Sequence, residues 1–297
     1  MTDDTTIANL GDLLAPYARR CREHLDRWLI EPGVPPELAV AMRYCVMNGG
    51  KRLRPGLVQM AAETGTRENP ELTARAAVAV ELVHCYSLVH DDLPSMDDDT
   101  LRRGRPTAHV QFGEAMAILA GDALLTRAIS VLTESGQPRS AVLVGELARG
   151  AGPAGMIAGQ VADMKLCDVP EGLEGITYIH TRKTAALLRA SSAMGGISAD
   201  LPDRDIEALG QYGQALGLAF QLFDDVLDVT GDAGVLGKTP GKDAGTDKRT
   251  IVAQLGLDAA RKLGKDLSDQ AIAALDRFGP RAEKLVQLAS LLTDRTH

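Results

Sequence analysis

The chain of 297 residues is long enough for one large domain or two ordinary ones, and its 45% hydrophobic content is ample for a buried core. Aromatic residues make up only 3% of the chain, which favours helices packed closely through small side chains. The formal net charge of −8 argues against a nucleic-acid partner, because such a partner usually requires a basic face.

The N-terminal stretch MTDDTTIANLGDLL lacks the basic region and the continuous apolar core of a signal peptide. The most apolar stretch, ARAAVAVELVHCYSLV, is interrupted by Arg75, Glu81 and His84, which makes it a poor membrane span. The four cysteines are scattered without the CxxC spacing of zinc or redox sites, and we interpret them as reduced and structural. The sequence therefore predicts a cytoplasmic protein with no membrane span.

Helical periodicity runs through most of the chain. Between residues 74 and 92, Val78, Leu82, Cys85 and Val89 recur at intervals of three and four. Similar patterns occupy residues 115–133, 206–229 and 258–293, with glycine and proline between the periodic segments. No convincing strand alternation, long linker or internal repeat occurs. We therefore predict an all-α fold in a single domain spanning residues 1–297.

The first charged motif along the chain is GGKRLRP, which places Lys51, Arg52 and Arg54 directly after two glycines. Further on, HDDLPSMDDDTLRRGRPT begins at His90 with an acidic cluster. In a regular helix Asp97 would point about 240° away from Asp91. Pro94 interrupts the helical hydrogen bonds, so the LPSM segment can bulge and return Asp97 to the side of Asp91.

The second acidic cluster is FDDVLD. On a helix Asp224 and Asp228 share a face, Asp225 flanks them, and Gln221 lies one turn earlier. One such cluster by itself is typical of a solvated acidic face. Two clusters, of which the first follows a buried apolar helix, indicate carboxylate ligands for Mg²⁺, which shares its remaining positions with water and substrate phosphate.

Basic residues accompany both acidic clusters. The guanidinium groups of Arg102 and Arg103 can bind phosphate oxygens bidentately. HTRKT supplies Lys183 and Thr184. The glycine-rich GKTPGKDAGTDKRT supplies Lys238, Lys242, Lys248 and Arg249. Each group alone could be solvated surface, but together they predict a diphosphate bound through magnesium.

These motifs occur in the order typical of the trans-isoprenyl diphosphate synthases, and the chain resembles that family over about residues 40–255, most closely its bacterial-type farnesyl diphosphate synthases. The resemblance is also carried by GEAMAILAGDALL, GQVADM and RKT. It implies an isoprenoid-synthase-like bundle of a dozen or so helices around a central cavity, usually in a homodimer. The implied reaction joins isopentenyl diphosphate head to tail to dimethylallyl or geranyl diphosphate.

The resemblance also implies a role for each matching position. Asp91 and Asp97 would bind two Mg²⁺ ions and Asp224 a third. Further metal support would come, directly or through water, from Asp92, Asp225 and Asp228. The allylic diphosphate would be held by Arg102, Lys183 and Lys238, with Lys248 as a further candidate. Isopentenyl diphosphate would be held without metal by Lys51, Arg54, His84 and Arg103. Oxygens near the allylic cation would come from Thr184 and Gln221.

Two positions on the predicted helix before Asp91 need separate weighing. His84 precedes Asp91 by seven residues and so shares its face, which favours a ligand role over a core role. Tyr86 lies about 7.5 Å lower along the helix than Asp91, with Ser87 one residue nearer. A large ring at that depth can act as the floor for the growing chain, or it can pack in the core with the floor elsewhere. An aromatic residue there, together with the two-residue expansion in DDLPSMD, resembles farnesyl diphosphate producers, with geranylgeranyl diphosphate as the alternative product. His90 and His109 have no comparable argument, and we interpret them as structural.

Two other function classes stay open. A terpene cyclase is also all-α and aspartate-rich, but it normally carries an Asn/Ser/Glu triad in place of the second aspartate motif. A non-catalytic subunit of a synthase tends to lose aspartates, and this chain has both sets. The stretch after about Asp258 carries no motif that indicates a role.

Overall fold

Helices account for nearly all regular structure in the computed structural model, which describes residues 9–67, 69–230 and 250–293. In the first half of the chain the elements are α1 (Leu10–Trp28), α2 (Pro36–Met47), α3 (Leu53–Ala62), α4 (Pro70–Asp91), β1 (Leu101–Arg102), β2 (Arg105–Pro106), α5 (Ala108–Phe112), α6 (Glu114–Thr133) and α7 (Ser140–Ala151). They continue with α8 (Met156–Asp163), α9 (Gly172–Ile179), a π-helix (His180–Ala185), α10 (Ala186–Ser198), α11 (Asp203–Thr230), α12 (Ile251–Leu255), α13 (Leu257–Ala273), a 3₁₀-helix (Asp276–Ala282) and α14 (Glu283–Thr293). The predicted all-α class is confirmed.

Local side chains fix where several helices begin. Asn9 caps α1 by accepting a hydrogen bond from the Asp12 N–H at 3.1 Å, and Asn69 caps α4 by accepting from the Leu72 N–H at 3.2 Å. Pro70 occupies the first position of α4, where a missing N–H costs nothing. The start of α4 is thus set about 20 residues before the first acidic cluster.

Helix α4 is the central helix of the core. Its side chains are buried along nearly its whole length, and it packs against α3, α6 and α10. A second apolar cluster joins α1 to α11 and α14, where Leu285, Leu288 and Leu292 are buried. The Tyr212 hydroxyl donates to the Leu285 carbonyl at 2.8 Å in this cluster. The C-terminal region, for which the sequence indicated no role, therefore completes the core.

Besides the 3₁₀-helix, two local features of the described residues depart from regular α-helix. A two-stranded antiparallel hairpin pairs Leu101 with Pro106 and Arg102 with Arg105. The two residues between the strands, Arg103 and Gly104, both have positive φ (54° and 74°), as in a type I′ turn. The second feature is the π-helix between α9 and α10. Both carry residues of the candidate site.

Two helices are long and apolar enough to cross a membrane by length and composition alone, namely α4 and α6. The apolar window of α4 is 78% buried within the protein, as expected for a core helix. The window of α6 is only 44% buried, because Ile118, Leu119 and Ile129 are exposed. Helix α6 thus presents an apolar face to the outside.

Candidate active site

The first acidic cluster forms a tight turn at the end of α4. The helix ends at Asp91, and the Asp97 N–H donates to the Asp91 carbonyl at 2.8 Å. The Asp98 N–H closes the same turn on the Leu93 carbonyl at 3.1 Å, with Asp98 in the left-handed region at φ 50°. The segment containing Pro94 therefore brings Asp97 back beside Asp91, as the sequence argument expects.

Asp91 is a half-buried carboxylate in a field of mixed charge. Burial, opposed by Lys183 and reinforced by the negative charge of Asp97, raises the pKa of Asp91 to about 6. A carboxylate held in this way gains from a cation placed next to it. Lys183 is thus the cation whose charge most favours the ionised form of Asp91.

Asp92 is buried and binds Arg102. The carboxylate is 3% exposed, and it accepts hydrogen bonds from Arg102 Nε at 2.8 and 2.9 Å and from Nη2 at 2.5 Å. The hairpin that carries Arg102 is itself fixed by the Tyr44 hydroxyl, which donates to the Pro106 carbonyl at 2.6 Å. Arg102 is thus held in place from both sides, beside the acidic turn.

The π-helix His180–Ala185 packs against α8 and against α11, the helix of the second acidic cluster. It carries Lys183, which pairs with Asp163 of α8, and Thr184, whose hydroxyl donates to Gln221 Oε1 of α11 at 3.0 Å. The close approach of α8 requires Gly159, because a Cβ there would lie 2.1 Å from the Lys183 backbone nitrogen. Single π turns inside α-helices occur frequently at functional sites.

The second acidic cluster lies in the last turns of α11. Asp224 is half-buried, Asp225 is buried and Asp228 is exposed. Asp225 accepts hydrogen bonds from the Ile251 N–H at 3.3 Å and from Gln221 Nε2 at 3.5 Å. Hydrogen bonds therefore lead from Asp225 through Gln221 to Thr184, which adjoins Lys183 in the π-helix.

A buried ion pair anchors the GGKRLRP segment to α4. Arg52 and Glu81 are 5% and 2% exposed and form an ion pair, and Arg52 Nη2 also donates to the Val46 carbonyl at 2.5 Å. Arg52 adopts φ 53°, a left-handed conformation that is uncommon for non-glycine residues. The pair fixes the backbone from which Lys51 and Arg54 project.

Arg54, His84 and Arg103 form a basic group of their own, which we call the second basic group to distinguish it from the basic residues beside the acidic clusters. Burial, followed by the charges of Arg54 and Arg103, lowers the pKa of His84 well below its usual 6.5, so the imidazole is neutral near pH 7. Arg54 Nε is buried and has no hydrogen-bond partner among the described residues. Arg103 Nη1 donates to the Gly49 carbonyl at 2.6 Å, and Lys51 is exposed nearby in sequence. An unpaired buried donor among cationic groups suits an anion such as phosphate.

The remaining predicted residues fall into two groups. Tyr86 is buried, and the Ser87 hydroxyl donates to the His84 carbonyl at 2.9 Å. Lys238 and Lys248 lie in residues 231–249, outside the described part of the chain. Their predicted contacts with the allylic diphosphate stay predictions.

The carboxylates suit a Mg²⁺ ion that takes its remaining ligands from water and substrate phosphate. Within residues 9–67, 69–230 and 250–293, no group of three His, Cys, Asp or Glu side chains is placed to hold an ion unaided. Mg²⁺ needs only one or two carboxylates when water and substrate phosphate supply the other ligands. Asp91 and Asp97 on one side and Asp224 on the other would provide them.

Two further residues belong to the site although the sequence argument gave them no role. Gln160 and Asp163 are in the GQVADM segment and lie three apart on α8, hence on one face. Asp163 holds Lys183, and both polar atoms of the Gln160 amide are buried without a partner among the described residues. In the sequence, the spacing of three between these two polar residues and their position after Gly159 could have indicated a shared role.

A separate shallow cavity of about 220 Å³ lies between α7 and α10. It contains Arg149 and Arg189, but Glu146 accepts from both at 2.6 and 2.9 Å, and Glu207 accepts from Arg189 at 3.0 Å. These bonds already engage two of the three arginines that line the cavity, the third being Arg182, so the acidic clusters remain the stronger candidate.

Comparison with known proteins identifies the family of the chain. The family model described as Polyprenyl synthetase matches residues 35–287. The chain is 46% identical over 247 residues to the farnesyl diphosphate synthase of Escherichia coli (strain K12), covering 81% of this chain and 82% of that protein. It is 43% identical over 281 residues to a chloroplastic geranylgeranyl pyrophosphate synthase of Capsicum annuum, covering 91% and 74%. A geranyltransferase from Helicobacter pylori, solved in complex with magnesium and isoprenyl diphosphate, superposes with a TM-score of 0.78 at 32% identity, covering 95% of this chain and 97% of that one.

Proposed function

The chain belongs to the polyprenyl synthetase family and is a prenyltransferase with the isoprenoid synthase fold, and from that premise we propose that it makes (2E,6E)-farnesyl diphosphate. Its substrates are isopentenyl diphosphate and dimethylallyl or geranyl diphosphate, acted on within one domain. The observation that carries the proposal is the π-helix, whose Thr184 donates to Gln221 beside the second acidic cluster and whose Lys183 acts electrostatically on Asp91 of the first.

The allylic diphosphate binds between the acidic clusters. Asp91 and Asp97 would hold two Mg²⁺ ions and Asp224 a third, with support from Asp92, Asp225 and Asp228. The bound ions would supply positive charge that stabilises the leaving diphosphate. Lys183 and Arg102 add cationic side chains on the same side, and Lys238 and Lys248 are proposed from the sequence to join them.

Isopentenyl diphosphate binds in the second basic group without metal. Arg54 and Arg103 provide fixed guanidinium groups, His84 provides a neutral donor, and the flexible Lys51 adds charge at the rim. The unpaired Nε of Arg54 would find its hydrogen-bond partner in the bound diphosphate.

The reaction follows from this arrangement of charges. The C1–O bond of the allylic substrate breaks, its electron pair leaves with the diphosphate, and an allylic cation remains. Oxygens of Thr184 and Gln221 face the cation, and they stabilise it without a nucleophile strong enough to trap it. The isopentenyl double bond then forms the new carbon–carbon bond, and the resulting cation loses a proton to the released diphosphate.

The product length is proposed from Tyr86. Its ring is buried five residues before Asp91 on α4, where it would end the cavity that receives the growing chain. Geranylgeranyl diphosphate is the second candidate product. The relative from Capsicum annuum, which is named a geranylgeranyl pyrophosphate synthase, is nearly as similar in sequence as the farnesyl diphosphate synthase of Escherichia coli.

We also propose that the enzyme is a cytoplasmic homodimer. The support for the dimer is the apolar face of α6, where Ile118, Leu119 and Ile129 are 44%, 56% and 45% exposed. A second copy of the chain packed on this face would remove these side chains from water.

The purified protein, Mg²⁺, geranyl diphosphate and isopentenyl diphosphate together test the function. After dephosphorylation, the prenyl alcohols are identified by gas chromatography and mass spectrometry. Farnesol is the expected product. Geranylgeraniol would overturn the product length alone, cyclic hydrocarbons would indicate a terpene cyclase, and no product would indicate a non-catalytic subunit.

A further inference from the structure

His90 occupies the last turn of α4, directly before Asp91, and has no part in the chemistry described above. Its half-buried ring points towards α6, where Nε2 lies 3.1 Å from the Ile118 carbonyl oxygen. A carbonyl only accepts hydrogen bonds, so Nε2 carries the proton and donates it. This hydrogen bond fixes both the tautomer and the orientation of the ring.

The ring of His90 fits a socket that only glycine leaves open. A Cβ at Gly121 would lie 2.1 Å from His90 Nε2 and 2.5 Å from Cδ2. The imidazole therefore occupies the space where any other residue at position 121 would place its side chain. Helix α6 thus holds His90 through the Ile118 carbonyl and the socket at Gly121.

The His90 ring also packs against the ring of Tyr86. The two residues are four apart on α4 and so lie on one face of the helix. Their ring centroids are 5.8 Å apart with an interplanar angle of 79°, an edge-to-face arrangement. Tyr86 is 7% exposed, and its ring has little room to turn while His90 stays in the socket.

We propose that His90 is a positioning residue for product length, because its ring, locked into the Gly121 socket, holds the Tyr86 ring where it ends the cavity for the growing chain. The inference rests on the proposed function, in which Tyr86 is the floor of that cavity. His90 does not touch the reacting atoms in this scheme. It acts only through Tyr86.

The first test compares products of the wild type with those of His90→Ala, Tyr86→Ala and the double variant. We expect His90→Ala to raise the ratio of C20 and longer products to C15 about tenfold, equivalent to ~1.4 kcal/mol. Because His90 acts through Tyr86, the double variant should give the same products as Tyr86→Ala alone. Asp122→Asn is the matched control, since the exposed Asp122 lies 3.9 Å from His90 Nε2 outside the socket, and it should keep the C15 product.

Gly121→Ala is a second variant that leaves His90 in place but fills its socket. The imidazole is the end of a flexible side chain and can move aside, so the protein should fold and its products should lengthen. If Tyr86→Ala lengthens the product while His90→Ala or Gly121→Ala keeps C15, the role of His90 is wrong and the proposed function stands. If Tyr86→Ala itself keeps C15, the floor assignment fails and the role of His90 fails with it.

Discussion

The ionised carboxylate of Asp91 lowers the stability of the folded protein. Its folded pKa of about 6 exceeds the ordinary value of 3.8. The folded chain therefore binds this proton more tightly than the unfolded chain, and stability falls as the pH rises from about 4 to about 6. Above that window the ionised carboxylate costs free energy, which a bound cation would offset.

Asp91→Asn should therefore stabilise the cation-free protein while abolishing most of its turnover. With EDTA present at about pH 7.5, we expect the free energy of unfolding to increase by about 1–2 kcal/mol, after allowance for the partial solvent exposure of the carboxylate. The gain should vanish towards about pH 4, where the wild-type carboxyl is protonated. Urea unfolding at both pH values measures this, and a variant less stable than the wild type at the higher pH would refute it.

Lys51 and Arg54 belong to the metal-free diphosphate group, and their removal should affect one substrate selectively. We expect Lys51→Ala and Arg54→Ala to raise the KM for isopentenyl diphosphate about tenfold or more and the KM for geranyl diphosphate less than about twofold. Arg67→Ala is the control, because Arg67 is exposed and paired with Asp200. Equal weakening of both substrates would mean that the two diphosphate sites are divided incorrectly.

At the scale of elements, the π-helix depends on how closely α8 approaches it. Gly159→Ala places a Cβ 2.1 Å from the Lys183 backbone nitrogen, so Lys183 and Thr184 must shift. A displacement of about 1 Å is enough to lower kcat about 100-fold. Gly145→Ala on α7 is the control, because open space surrounds that position, and it should leave kcat unchanged while adding about 0.5–1 kcal/mol of stability. Equal kcat values for the two variants would show that the π-helix does not position the site.

The sequence predicts the long helices well because burial repeats with the period of the helix. The return of Asp97 to Asp91 follows from Pro94 by the same kind of local argument. The π-helix is different, because one extra residue in a turn hardly changes the apolar period. The hairpin at Arg103 escaped notice because its strands are two residues long and carry no β-branched alternation.

Side-chain pairing is the other part that sequence reasoning missed. It predicts metal support from Asp92 and a phosphate ligand in Arg102, but it does not foresee the ion pair that joins the two side chains. Asp163 received no role, although it holds Lys183. Such pairs join residues from different elements, and their partners become visible only once the helices are packed.

At the scale of the whole molecule, the apolar face of α6 predicts self-association. We expect the wild type to run as a dimer in size-exclusion chromatography with light scattering, and Leu119→Glu with Ile129→Glu to run as a monomer, because burying two carboxylates is costly. Leu166→Glu is the control, since Leu166 is 69% exposed but lies after α8, away from α6. A monomeric wild type, or a dimer that survives the double substitution, would remove α6 as the interface.

The central claim is that both acidic clusters serve one diphosphate site. Single-turnover rates of Asp91→Asn, Asp224→Asn and the double variant test it most directly. They are measured with saturating geranyl and isopentenyl diphosphates and Mg²⁺. Each single variant should lose at least about 1,000-fold in rate. The double variant should lose little more, because groups that act as a unit are not additive. Asp266→Asn, an exposed aspartate on α13, should match the wild type. A single variant that condenses the substrates at the wild-type rate with unchanged Mg²⁺ dependence would contradict a shared site.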